Sequence, residues 1–202
     1  EVEQRNNELQ MVHQISKDIV ASLELDETLH TILERVGQMI EYDGAEICLY
    51  DKAEDLLRVR AWAGSDSVHV DTRGFEYQMG KGFTGWIAEN RQSLLVTDVE
   101  AHKEQQPVRR QLDDDQLVVN SFVGVPLLSG NEIVGTIELV STVKGTYLPH
   151  EQQLLETIAP QAAIAIYNAR KVIEREKLLK DQIASLQIEL DEAKRTQQVE
   201  EI

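Results

Sequence analysis

The residues with the plainest capacity for chemistry are Gly80-Lys81-Gly82-Phe83-Thr84-Gly85, a literal G-x-G-x-x-G. Glycines at that spacing can open backbone amides to a phosphate at the start of a helix, and Asp98 and Glu100 stand downstream as carboxylates. A dinucleotide site, however, needs a βαβ unit of roughly 30 residues with a full crossover helix. Only eight residues separate Gly85 from the strand expected at Leu94, too few for that helix. A kinase glycine loop is excluded because no V-A-I-K, H-R-D or D-F-G follows. The segment is read instead as a tight turn into a short helix, where absent side chains let the backbone approach a neighbour or a ligand.

The other reactive residue types form no constellation. His13, His30, His69, His102 and His150 are scattered without the paired spacing of a zinc site, so no metal is assigned. Asp113-Asp114-Asp115 reads as a solvated acidic run. Cys48 falls on a strand and reads as a small buried side chain rather than a nucleophile. Thr136 and Glu138 share one side of their strand, opposite Ile137 and Leu139. That places the Glu138 carboxylate either in a ligand cavity or, as is usual for glutamate, in solvent. No acid–base pair follows from spacing, and the chain reads as a non-enzyme with no cofactor assignable.

The elements that must position these residues begin and end with helix. Val2, Leu9, Val12, Ser16, Ile19 and Leu23 fall at heptad-like steps in a stretch without Pro or Gly, predicting a helix with a narrow apolar stripe. Asp26 is the expected cap of a second helix to about Glu41, with Leu29, Ile32, Leu33, Val36, Met39 and Ile40 as a broad apolar face. Strands are expected at Ala45–Tyr50, Leu57–Ala63, Phe75–Met79, Leu94–Thr97, Ser121–Leu128 and Glu132–Val140. In the second of these, Leu57, Val59 and Ala61 alternate with Arg58, Arg60 and Trp62. Ser129-Gly130-Asn131 links the last two strands as a hairpin. The polar stretch from Asp98 to Val119 is a long excursion with one short helix near Glu104–Leu112.

The final stretch, from Pro149 to Ile202, changes its period along its length. Leu154, Leu155, Ile158, Ala162, Ala165, Ile166 and Ala169 have the spacing of a helix packed on a core. Val172, Glu176, Leu179, Ile183, Leu186, Leu190, Ala193 and Gln197 then alternate steps of four and three, the seam of a coiled coil. Glu176–Lys180 and Asp191–Arg195 add acid-before-base pairs along the exposed side. Pro160 removes a hydrogen bond to the carbonyl of Glu156, and a bend of more than roughly 20° is expected there.

Bulk properties set limits. A net charge of −16 and a pI near 4.7 disfavour nucleic acid and an anionic membrane surface as partners. A single cysteine excludes an internal disulfide framework and fits a reducing, cytoplasmic setting. No apolar run reaches eighteen residues, and the polar amino end has no signal peptide. Without an initiator Met, and with a carboxy end that stops inside its heptad pattern, the chain is expected to be a piece of a longer protein.

The ordered series of motifs resembles a GAF domain. It comprises Gly80-x-Gly82-x-x-Gly85-Trp86-Ile87-Ala88, Leu94-Leu95-Val96-x-Asp98-Val99, Ser121-Phe122-x-x-Val125-Pro126-Leu127 and Ile133-Val134-Gly135-x-Ile137-Glu138-Leu139, closing with the helix from Leu154 to Ala169. The resemblance covers about Asp26 to Arg170. It implies an α+β fold: a central antiparallel sheet of about six strands with helices packed on one face and a ligand cavity on the other, flanked here by long terminal helices. It also implies a regulatory sensor of a multidomain bacterial signalling protein. The expected organisation is an N-terminal helix over 1–25, a GAF-like sensor domain over 26–170 and a coiled-coil linker over 171–202.

The departures narrow what the resemblance implies. Cyclic-nucleotide-binding members carry N-K…F-x-x-x-D-E, and the matching positions here are Ser141, Thr142, Tyr147, Glu151 and Gln152. Cys48 does not stand in the segment through which bilin-binding members attach their pigment. The expected cavity lining is Trp62, Phe83, Trp86, Asp98, Phe122 and Glu138, for a small molecule left unidentified. Homodimerisation is expected through Leu9, Val12 and Ile19 of the first helix and Val172, Leu179, Ile183, Leu186 and Leu190 of the last. Two alternatives stand beside this reading: a cyclic-nucleotide sensor, and a dimerisation scaffold without a ligand.

Overall fold

Gly44–Asp51 and Glu132–Ser141 are buried along most of their length, and they pair with each other at the centre of the sheet. The computed structural model describes residues 24–64, 71–102 and 118–200, with side chains as far as 189. Helix α1 covers 24–39. It is followed by β1 (Gly44–Asp51), β2 (Leu56–Gly64), β3 (Glu76–Gln78), α2 (Gly82–Asn90), β4 (Leu94–Val96), β5 (Ser121–Ser129), β6 (Glu132–Ser141) and α3 (Pro149–Glu200). The strands make one six-stranded antiparallel sheet in the order β3-β2-β1-β6-β5-β4. The two edge strands have three residues each, which leaves little unpaired backbone for another chain to recruit. This is the α+β architecture that the sequence implies.

Alternation divides the sheet into two chemically different faces. Ala45, Ile47 and Leu49 of β1, Val123, Val125 and Leu127 of β5, and Ile137 and Leu139 of β6 project to one face, and all are buried. Buried apolar stripes also run along α1 (Leu29, Leu33, Val36) and the first part of α3 (Leu155, Ala159, Ala162, Ile166), within the same compact unit. The other face carries Glu46, Trp62, Phe122 and Glu138, and α2 lies against it.

Three local expectations change. Residues 24 and 25 are already helical, so Asp26 is not a cap; its carboxylate accepts a hydrogen bond from Arg60 Nη2 at 3.2 Å instead. Strand β5 runs through Ser129, leaving Gly130-Asn131 as a two-residue link. Period two breaks in β2, because Cys48 faces Val59 while Ile47 faces Ala61. Arg60 is the extra residue of this β-bulge, and it moves Trp62 onto the face of Leu57 and Val59 rather than that of the two arginines.

The unit Leu25–Tyr167 is compact, and α3 from Asn168 onward belongs to a second unit. Helix α3 continues through Pro160. The helix expected over Val2–Leu23, including Leu9, Val12 and Ile19, lies outside the described residues, as do the short helix near Glu104–Leu112 and the side chain of Leu190.

Between β6 and α3, Tyr147 is fully buried and its hydroxyl has no hydrogen-bond partner. Burial, reinforced by the nearby Asp43, pushes its ionisation well above the ordinary value of 10.0. The folded state therefore keeps its proton where the unfolded chain loses it, and stability falls as pH rises above about 10. Tyr147→Phe is expected to leave stability at pH 7 unchanged or raised by up to about 1–3 kcal/mol, since a buried unpaired polar group is removed. The same variant should lose less stability than the parent between neutral and alkaline pH. Chemical denaturation at both pH values checks this, and a clear loss at pH 7 would contradict it.

Candidate functional site

The face beneath α2 is built in cross-strand rows. One row reads Val96, Phe122, Val140 and Gly44 across β4, β5, β6 and β1. The next reads Leu94, Gly124, Glu138, Glu46 and Trp62, ending on β2. The third reads Pro126, Thr136, Cys48 and Val59. A polar row thus runs between two apolar ones. Phe122, Val96 and Leu94 cluster with Ile87 of α2, while Cys48, Val59 and Leu57 cluster with Ala88 of the same helix.

Glu46 and Glu138 are direct partners on adjacent strands, 5% and 2% exposed. Carboxyl groups so placed have Cβ atoms about 4.5–5.5 Å apart, and burying them is costly unless each is hydrogen-bonded. Four hydroxyls bond to them, and Cys48 Sγ also lies 3.9 Å from Glu46 Oε1. Thr84 Oγ1 donates to Glu138 Oε2 at 2.8 Å and Thr136 Oγ1 to Glu138 Oε1 at 2.7 Å. Thr72 Oγ1 donates to Glu46 Oε2 at 2.8 Å and the Tyr77 hydroxyl to Glu46 Oε1 at 3.1 Å. Tyr77 is brought there by β3, which Arg58 of β2 helps to fix through Glu76, Asp51 and Glu54.

Helix α2 depends on these contacts. Nine residues are too few to be stable alone, its Lys81 N-cap makes no side-chain bond, and Arg91 at its C-cap sits at φ +54°. Its first turn is closed by Gly85 N–H to Lys81 O at 3.1 Å, and Gly80 N–H donates to Gly85 O at 2.9 Å. A Cβ at Gly85 would stand 2.1 Å from the Gln78 carbonyl oxygen. The third glycine of the motif therefore lets α2 pass against the end of β3, and no phosphate is needed to account for it.

The six side chains expected to line a cavity are placed as follows. Phe83, Trp86 and Phe122 come together, with the Phe83 and Phe122 rings 4.8 Å apart at 44°. Trp62 covers Gly44, where a Cβ would stand 2.4 Å from the indole, and lies beside Val140. Glu138 is buried in the polar row rather than solvated. Asp98 has other partners at the base of the β4–β5 connection: its carboxylate accepts from Lys144 Nζ at 2.9 Å and from the amides of Glu100 and Ala101. The Lys144 hydrogen bond is the main reason its carboxyl lies below the ordinary range. Spacing in the sequence does not mark Glu46, Thr72, Tyr77 or Thr84 as site residues. Glu46 leaves a trace there, as the one carboxylate of the strand expected at Ala45–Tyr50, but its pairing with Glu138 needs the register. Among the described residues, no group of three or more His, Cys, Asp or Glu is disposed to hold a metal ion.

Such a domain is an α+β module that encloses a hydrogen-bonded acidic row under a short helix on one sheet face. The sequence pattern that defines the GAF domain matches residues 22–166, and the chain belongs to the GAF domain family. It is similar to a Nif-specific regulatory protein of Herbaspirillum seropedicae, 25% identical over an aligned length of 193 residues, covering 92% of this chain and 34% of that protein. It is also similar to the formate hydrogenlyase transcriptional activator FhlA of Escherichia coli (strain K12), 21% identical over 175 residues, 84% of this chain and 25% of that protein. The chain thus spans about a third and a quarter of these regulators. The free methionine-R-sulfoxide reductase from Neisseria meningitidis, solved in complex with its substrate, shares the fold at TM-score 0.59 and 18% identity, over 76% of this chain and 87% of that one.

Gly85→Ala should destabilise the domain by about 1–3 kcal/mol, as overpacking against a fixed backbone oxygen does. Urea denaturation checks the loss. An unchanged midpoint would show that α2 does not run this close to Gln78.

Proposed function

We propose that this GAF domain is a regulatory sensor and dimerisation module: the face around Glu46 and Glu138 receives a small molecule or a partner's signal, and α3 conveys it to a further domain. The observation that carries the reading is the change of character along α3. Leu155, Ala159, Ala162 and Ile166 are buried within the first compact unit. Beyond it, Val172, Leu179, Ile183 and Leu186 are 45–63% exposed, an apolar seam at coiled-coil spacing without cover among the described residues. Burying one such side chain contributes about 1.5–3 kcal/mol. With about half of each side chain still to be buried, four from each of two helices contribute about 6–12 kcal/mol, the same order as an association penalty of about 4–15 kcal/mol. The second copy of the chain is the partner that heptad spacing favours. The regulatory names of both relatives agree with this role and not with catalysis.

The chemistry of the face bears on the ligand. Two buried acidic side chains, with no Lys or Arg among the residues bonded to them above, offer nothing that would hold a phosphate, which weighs against the cyclic-nucleotide alternative. The positions matching the cyclic-nucleotide signature are also occupied structurally: Ser141 and Thr142 bond Asp43, Tyr147 is buried, and Glu151 accepts from the Leu148 amide. A ligand-free dimerisation scaffold is the remaining alternative, separated from the sensor reading by whether any small molecule raises the thermal midpoint. A cytoplasmic setting belongs to the same proposal, and the buried, unbridged Cys48 fits it. No described helix is long and apolar enough to cross a membrane.

Light scattering coupled to size exclusion tests the dimer. The chain should elute with twice its monomer mass at micromolar concentration, and Leu179→Glu with Ile183→Glu should halve it while leaving the unfolding of the sheet domain unchanged. A parent chain that is already monomeric would overturn the reading.

A further inference from the structure

The connection between β6 and α3, residues 141–148, is bonded on two sides, and the two sides belong to different parts of the fold. On one side stands Asp43, in the turn between α1 and β1. A single oxygen, Asp43 Oδ2, accepts from Ser141 Oγ at 3.0 Å, from the Thr142 amide at 2.7 Å and from Thr142 Oγ1 at 2.8 Å. The Asp43 amide in turn donates to Val140 O at 3.0 Å. These contacts join residues almost 100 positions apart.

On the other side stand the two stems of the β4–β5 connection, next to the apolar cluster of Phe122 and α2. Lys144 Nζ pairs with Asp98 Oδ2 at 2.9 Å, and the Gly145 amide donates to Thr97 O at 2.7 Å. Asn120 Nδ2 donates to Thr142 O at 2.6 Å, and the Asn120 amide donates to Ser141 O at 2.8 Å. Ser121 Oγ accepts from the Tyr147 amide at 3.3 Å and donates to Val96 O at 3.2 Å. Val99, between these stems, packs in the cluster that includes Ile87 and Phe122.

We propose that residues 141–148 form a clasp that couples the base of the β4–β5 connection and the end of α1 to the first turn of α3, so that a change at either is felt where α3 begins. Three features argue for coupling rather than mere attachment. The bonds from both sides converge on the same few residues, since Thr142 takes its amide and hydroxyl bonds to Asp43 and its carbonyl bond from Asn120. The clasp leads directly into α3, whose first turn closes on it through Glu151 N–H to Leu148 O at 3.1 Å and Leu148 N–H to Glu151 Oε2 at 2.9 Å. The clasp also holds the orphaned Tyr147 hydroxyl, a buried group that its present packing leaves unsatisfied and that a second arrangement could pair. The clasp gives the sensor reading a route to α3, and its significance rests on that reading. Its existence is testable without it.

Hydrogen exchange followed by mass spectrometry on the whole chain, without added ligand, is the test. Asp43→Ala should speed exchange severalfold not only at 140–143 but also in peptides covering 97–100, 120–122 and 150–156. Acceleration confined to 140–143 would overturn the proposal. Thr142→Val removes one hydroxyl bond at an intermediate surface site and serves where Asp43→Ala does not fold; it should give the same spread at smaller amplitude, and a purely local change would again overturn it. Dimerisation is read separately by light scattering, so failure of the clasp is distinguishable from failure of the sensor reading.

Discussion

A hydrogen bond between a threonine and a glutamate 54 positions apart, Thr84 Oγ1 to Glu138 Oε2 at 2.8 Å, ties α2 to the sheet face beneath it. Both residues are buried, so the bond is made away from competing water. It joins the only short helix among the described elements to the sheet, at the point where that face changes from apolar to polar. Without it, Glu138 keeps Thr136 as a donor but loses the one from above, while Glu46 stands beside it on the neighbouring strand. Helix α2 loses the polar contact of its first turn, which no side-chain cap replaces. Gly85 sharpens the requirement, because the helix can occupy this position only where the backbone passes close to Gln78.

The polar row gives the domain its chemical character. Burying two carboxyl groups as cross-strand partners is unfavourable unless they are hydrogen-bonded, and four hydroxyls that bond them come from four places: the segment before β3, β3 itself, α2 and β6. The acidic row is therefore also what draws these elements together. The second structural theme lies at the exit. Asp43 and the stems of the β4–β5 connection meet at residues 141–148, and α3 begins there.

Much of this was legible in the sequence, and the reasons for the rest are physical. The strands showed because alternation and apolar runs are local signals, and the glycine motif showed as a turn into a short helix because eight residues leave no room for a crossover. Trp62 was assigned to the wrong side of β2 because a bulge at Arg60 interrupts period two, and no local signal marks it. Asp26 looked like a cap, but the helix begins before it and tertiary structure gives it Arg60. The pairing of Glu46 with Glu138 depends on the register of strands some 90 residues apart, which composition does not encode. Asp98 stood out as a carboxylate near the glycine motif, whereas its partner Lys144 lies 46 positions away.

The measurement that bears most directly on this account is a double-mutant cycle on the bond that ties α2 to the sheet face. Thr84→Val, Glu138→Leu and the double variant would be compared with the parent by equilibrium urea denaturation. A buried side-chain hydrogen bond predicts a coupling of about 0.5–1.5 kcal/mol between the two sites. A coupling below about 0.5 kcal/mol, the level of independent positions, would contradict it.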